Sequence, residues 1–158
     1  MSKHKHNVIS VPIADKENVA RIIYSPSYIN NGKVAPTAFR WERLRTGDSE
    51  DYISVLRDDG NCKLEQQSRK FVPRNVGDTR YGYALLNSAK IRHINDLLSS
   101  QSVLVELLPE PSRRTPNHAG IYVYVDGLKV TTDTLESSPE VLYVQKQLSS
   151  ICSDIVKF

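Results

Sequence analysis

The chain has 158 residues, a formal net charge of +3, and 39% hydrophobic and 8% aromatic residues. That length suits one domain, residues 1–158 with 1–7 frayed, and buries enough surface to fold without a disulfide or a metal. The composition excludes a wholly disordered chain, and so weak a charge bias is no argument by itself for nucleic acid.

Taken by segment, the charge alternates. Residues 1–46 carry eight basic against three acidic side chains, residues 47–68 two against six, residues 69–114 eight against four, and the remainder three against five. One basic face is compatible with this pattern, and so is an ordinary mixed surface. Cys62 and Cys152 stand far apart in unlike contexts, so two free thiols and a cytoplasmic location are expected. No stretch approaches the ~20 apolar residues of a membrane span. His4 and His6 sit in a tail whose ordinary role is solvated rather than metal-binding.

In chain order, Val8, Ile9, Val11 and Ile13 suggest a short strand. Asp15 stands where a helix cap would, and Val19, Ile22 and Ile23 follow at helical spacing, which predicts a helix over 15–24 ended by Pro26. The connector that follows holds the turn signal Asn30-Asn31-Gly32. Its hydroxyls Ser25, Ser27 and Tyr28 lie near Arg21 and most simply cap turns. Trp41 lies in FRWERLR, a short amphipathic or strand-like stretch, and an acidic loop follows. Tyr52, Ile53, Val55 and Leu56 read as a strand closed by Asp59-Gly60-Asn61. A short helix is expected over 62–71, with Cys62 as a small buried hydrophobe rather than a nucleophile.

Tyr81, Tyr83, Leu85 and Leu86 form the next strand, expected to run through Ile91 before a helical turn. Gly82 within it signals a bulge or a close backbone approach. His93 there reads as a surface or satisfied histidine. Two apolar runs follow, Val103–Leu108 and Ile121–Val125, the second ended by Asp126-Gly127, with strand residues resuming near Val130. Last, Ser138-Pro139-Glu140 begins a helix whose stripe Val141, Val144, Leu148, Ile151, Ile155 predicts a long amphipathic element over 139–157, about five turns. The fold class is therefore α+β: a mostly antiparallel sheet, a long C-terminal helix and two shorter helices.

The loop between the two runs, PEPSRRTPNHAG, carries three prolines, Arg113, Arg114 and His118. Prolines restrict where those side chains stand, Asn117 turns the chain into the second strand, and Gly120 allows close approach. Two functional readings follow. The first is a binding or accessory module for a partner protein or an anionic ligand, nucleic acid included. Its basic face is Arg69, Lys70, Arg74, Arg80, Arg113 and Arg114, with Phe71, Tyr81 and Tyr83 placed to stack. The second is a small enzyme acting on a nucleotide or nucleic acid, with His118 as acid or base, supported by Arg113, Arg114 and hydroxyls such as Ser25, Ser27 or Tyr28. A concave site gathering His118, arginines and a carboxylate favours the enzyme, and a flat basic face favours the module. Neither reading needs a cofactor or a metal.

Overall fold

The computed structural model describes residues 10–42, 50–58, 64–73, 75–98, 102–134 and 138–158. His4, His6, Val8, Ile9, Asp59-Gly60-Asn61, Cys62, Arg74 and most of the acidic loop before Glu50 lie outside them.

The main sheet is built from β1 (Asn18–Ser25), β4 (Ile53–Asp58), β5 (Thr79–Asn87), β6 (Val103–Pro109), β7 (His118–Val125), β8 (Leu128–Lys129) and β9 (Val156–Lys157). Their order is β6-β7-β4-β1-β5-β9, with β8 added to β7, and every ladder among the described residues is antiparallel. A small hairpin, β2 (Ile29–Asn30) and β3 (Lys33–Val34), lies apart. Both tight turns have positive φ at their two central residues, Asn31 (54°) and Gly32 (78°), then Asp126 (51°) and Gly127 (81°). That geometry is the type I′ turn, whose twist matches paired strands and which Asn-Gly and Asp-Gly adopt at least cost.

β1 corrects the helix expected over 15–24. Residues 19–24 are all buried, because the strand lies between β4 and β5 with both its faces covered. A strand buried on both faces has no polar alternation, and its apolar run then mimics helical spacing. The β-branched side chains of Val19, Ile22 and Ile23 decide for the strand. The segment expected as a first strand shows no strand at Val11–Ile13.

Three helices accompany the sheet: α1 (Leu64–Ser68), α2 (Ser88–Leu98) and α3 (Pro139–Ile151). α1 is shorter than the helix expected over 62–71. α2 begins three residues before Ile91, where a strand was expected to continue. Its first turn is capped by Asn87, whose side-chain oxygen accepts the Lys90 N–H at 3.2 Å. α3 opens as its sequence predicts, with Pro139 in the first turn and Ser138 Oγ accepting the Val141 N–H at 3.3 Å. It does not run to 157. After Ile151 the chain extends, Ser153 N–H donates to Leu85 O at 2.8 Å, and β9 pairs with Gly82 and Tyr83. Ile155 and Val156 thus belong to a strap along β5. A Cβ on Gly82 would lie 2.2 Å from Val156 O, so the strap requires glycine there.

One core joins the alternate side chains Ala119, Ile121, Val123 and Val125 of β7 to Ile91, Ile94 and Leu98 of α2 and Val141, Val144 and Leu148 of α3. α2 also guards the outer edge of β6: the Asn95 amide takes the Val105 N–H at 2.6 Å and donates to its carbonyl at 2.8 Å. Cys152 is a free, half-buried thiol, pushed up to about 11 by burial. No helix among the described residues is long and apolar enough to cross a membrane.

Candidate functional site

Strand alternation leaves the other face of β4 and β7 to Ser54, Leu56, His118, Gly120 and Tyr122. Over this face and β1 lies a cavity of about 180 Å³. Apolar side chains, among them Ile22, Tyr24, Leu56, Phe71 and Val72, make most of its wall, and Arg21, Glu42, Glu50, Tyr52, Ser54, Lys70 and His118 supply its polar groups. A mostly apolar concavity with a few converging polar groups is the usual form of a small-molecule site.

His118, the first residue of β7, is held at both ring nitrogens. Nδ1 lies 3.1 Å from the main-chain oxygen of Glu110, and Nε2 lies 2.6 Å from Ser54 Oγ. A carbonyl only accepts, so Nδ1 carries the proton. In the neutral ring Nε2 is then the acceptor, and the Ser54 hydroxyl donates to it. Burial holds the His118 pKa below its ordinary value, Glu110 partly opposes the shift, and Arg21 adds to it. A neutral imidazole aimed at a hydroxyl is the arrangement of a general base and its nucleophile.

Two aromatic rings fix the imidazole. Phe71 stacks near it with centroids 6.2 Å apart, and Tyr52 lies 5.6 Å away, tilted. Tyr52 also meets Tyr122 at 5.2 Å. It fits there because Gly120 has no side chain: a Cβ would stand 2.6 Å from the ring. Burial, helped by the nearby carboxylates of Glu110, Glu50 and Asp51, pushes the Tyr52 phenol up to about 12. The Tyr122 hydroxyl donates to Glu110 Oε2 at 2.5 Å and is likewise pushed up, first by burial and then by Glu110.

Arg21 anchors the floor. Only 5% exposed, it donates from Nε to Ala38 O and from Nη1 to Ser54 O, each at 2.7 Å. Glu42 accepts from the Tyr28 hydroxyl and pairs with Arg40 at 3.3 Å.

Of the basic residues expected to form one face, those among the described residues make different contacts. Lys70 lines the cavity, and its Nζ donates to Arg114 O, which ties the rim to the proline-rich loop. Arg113 and Arg114 are exposed on that loop. Its base is locked by Asn117, only 2% exposed, whose amide donates to Arg57 O at 2.9 Å and exchanges hydrogen bonds with the Gln67 amide. Arg69, Arg80, Tyr81 and Tyr83 gather instead around α1 and β9. Arg69 pairs with Glu65 at 3.7 Å, and Arg80 donates to Ser68 Oγ at 2.6 Å and lies over the Phe158 ring. Lys157 lies over the Tyr81 ring, and Tyr83 meets Phe158 with centroids 6.0 Å apart.

The hydroxyls named from sequence are not the ones beside His118. Ser27 bonds Asp78, and Tyr28 lies under Arg21. Ser54, Tyr52, Tyr122 and the Glu110 carbonyl are the partners that sequence reading missed. One signal was present: Ser54 is a small polar residue set between the apolar Ile53 and Val55. Among the described residues no group of three or more His, Cys, Asp or Glu is placed to hold a metal ion. Comparison with family models, with curated proteins and with solved structures finds no match.

Proposed function

We propose that this chain is a small enzyme whose site is the cavity over β1, β4 and β7, with Ser54 as nucleophile and His118 as general base. The observation that carries the reading is the 2.6 Å contact between His118 Nε2 and Ser54 Oγ, with the opposite ring nitrogen fixed by a main-chain oxygen. The chemistry this supports is acyl transfer to water. His118 takes the Ser54 proton as Oγ adds to an ester carbonyl. The imidazolium returns that proton to the leaving alkoxide, and His118 then activates the water that releases the acyl group. The Glu110 carbonyl does the orienting that a carboxylate does in a Ser-His-Asp triad. Tyr52 and Lys70 are donors among the cavity's lining residues that can meet the developing oxyanion.

The test is covalent labelling by a fluorophosphonate probe together with hydrolysis of p-nitrophenyl acetate. Wild-type protein should be labelled at Ser54, Ser54→Ala not at all, and His118→Ala should slow labelling by about 100-fold or more. Equal labelling and hydrolysis in all three proteins would overturn the reading.

A second reading, an anionic-ligand module, rests on the link that sets Lys70 beside the Arg113–Arg114 loop. It predicts salt-sensitive binding of a nucleotide or oligonucleotide that Arg113→Ala/Arg114→Ala weakens while labelling of Ser54 is unchanged.

A further inference from the structure

Glu110 touches His118 through its main chain at two points. Its N–H donates to His118 O at 2.8 Å, and its carbonyl accepts from His118 Nδ1 at 3.1 Å. The carbonyl therefore selects the imidazole tautomer, and it does so only while the Glu110 backbone keeps its place. The residue lies just past the end of β6, where the ladder to β7 stops at Pro109 and Ala119, so the sheet no longer fixes it beyond these contacts. What else fixes it is its own side chain: Oε2 accepts the Tyr122 hydroxyl at 2.5 Å. Tyr122 stands on β7 four residues beyond His118 and on the same face. Its ring is braced by Tyr52, which also touches His118. The contacts thus form a closed path from Tyr122 through Glu110 to His118 and back along β7.

We propose that Tyr122, acting through Glu110, is a positioning residue that holds His118 in the Nδ1–H tautomer with its Nε2 lone pair on Ser54. The proposal rests on the reading of His118 as the base of this site, and it adds what keeps that base in its working form. Neither Tyr122 nor the Glu110 carboxylate touches Ser54.

The experiment observes the ring directly. Histidine-selective ¹⁵N labelling of the full chain, with His118→Gln to assign the signal, reports which nitrogen is protonated at a pH where the ring is neutral. Wild-type protein should show the Nδ1–H form. Tyr122→Phe removes one hydroxyl, and Glu110→Ala removes its acceptor; both should admit the Nε2–H tautomer and slow fluorophosphonate labelling of Ser54 by up to about 100-fold. Glu110→Gln keeps an acceptor oxygen for Tyr122 and should restore the wild-type signal. Wild-type tautomer and labelling rate in folded Tyr122→Phe would overturn the proposal, and so would the same result in Glu110→Ala if the tyrosine variant fails to fold. The tautomer needs no substrate to be seen. A tautomer shift in Tyr122→Phe beside a Ser54 that never labels would support this positioning role while overturning the hydrolytic reading.

Discussion

Arg21→Ala is the substitution that most directly tests how the floor of the cavity is built. β1 and β4 pair at Asn18, Val19 and Ala20. Beyond Ala20 the guanidinium of Arg21 takes over and donates to Ser54 O, a main-chain acceptor of β4. A second bond of the same 2.7 Å length goes to Ala38 O. Longer ones reach Arg40 O at 3.3 Å and Tyr28 Oη at 3.4 Å. Counting only the two short bonds, each from a charged donor and worth about 1.5–3 kcal/mol, the loss is about 3–6 kcal/mol. That is a large part of a total stability of about 5–15 kcal/mol. At about 2–4 °C per kcal/mol for a chain of this size, the melting temperature should fall by roughly 6–24 °C. Differential scanning calorimetry measures it. Arg21→Lys keeps the charge but not the fork and should fall between the two. A drop below about 3 °C in Arg21→Ala would refute the reasoning, because the carbonyls would then have found other partners at little cost.

Gly120→Ala should destabilise the fold by about 1–3 kcal/mol, because the new methyl group displaces the Tyr52 ring from between His118 and Tyr122. An unchanged urea midpoint would count against that packing. Stability should also depend on pH at both ends. The folded pKa of His118 lies below the ordinary 6.5, so the unfolded chain binds the proton first, and stability is lost as pH falls from about 6.5 toward the folded value. The folded pKa of Tyr52 is about 12 against 10.0, so the unfolded chain loses its proton first, and stability is lost as pH rises above 10. Urea titrations at a series of pH values should show the acid slope flatten in His118→Gln and the alkaline slope in Tyr52→Phe.

Strands that carry one buried and one open face were legible. Residues 103–108 of β6 and 121–125 of β7 alternate in burial, and the turn after Val125 is marked by Asp126 and Gly127 at positive φ. β1 was not legible, because it is covered on both faces and loses the alternation that distinguishes a strand from a helix. The boundary at Ser88 was written in Asn87, a capping residue whose neighbours are apolar enough to continue either element. The end of α3 was hidden for a different reason. Ile151 and Ile155 keep helical spacing, yet pairing of Val156 and Lys157 with Gly82 and Tyr83 competes with further helix and prevails. That competition is set by a strand more than seventy residues earlier, which no local window contains.

The site divides along the same line. His118 stood out because a stiff loop between two buried strands carried it. Ser54 did not, since its meaning depends on register. β4 pairs Ser54 with Gly120 and Leu56 with His118. Ser54 and His118 are therefore diagonal neighbours on one face of an antiparallel pair, a separation within reach of a ring as long as an imidazole. The residue opposite Ser54 is glycine, which gives the Tyr52 ring its seat beside His118. A side chain at 120 would displace that ring. The meeting of imidazole and hydroxyl is thus a property of the β4–β7 register, which only the folded sheet supplies.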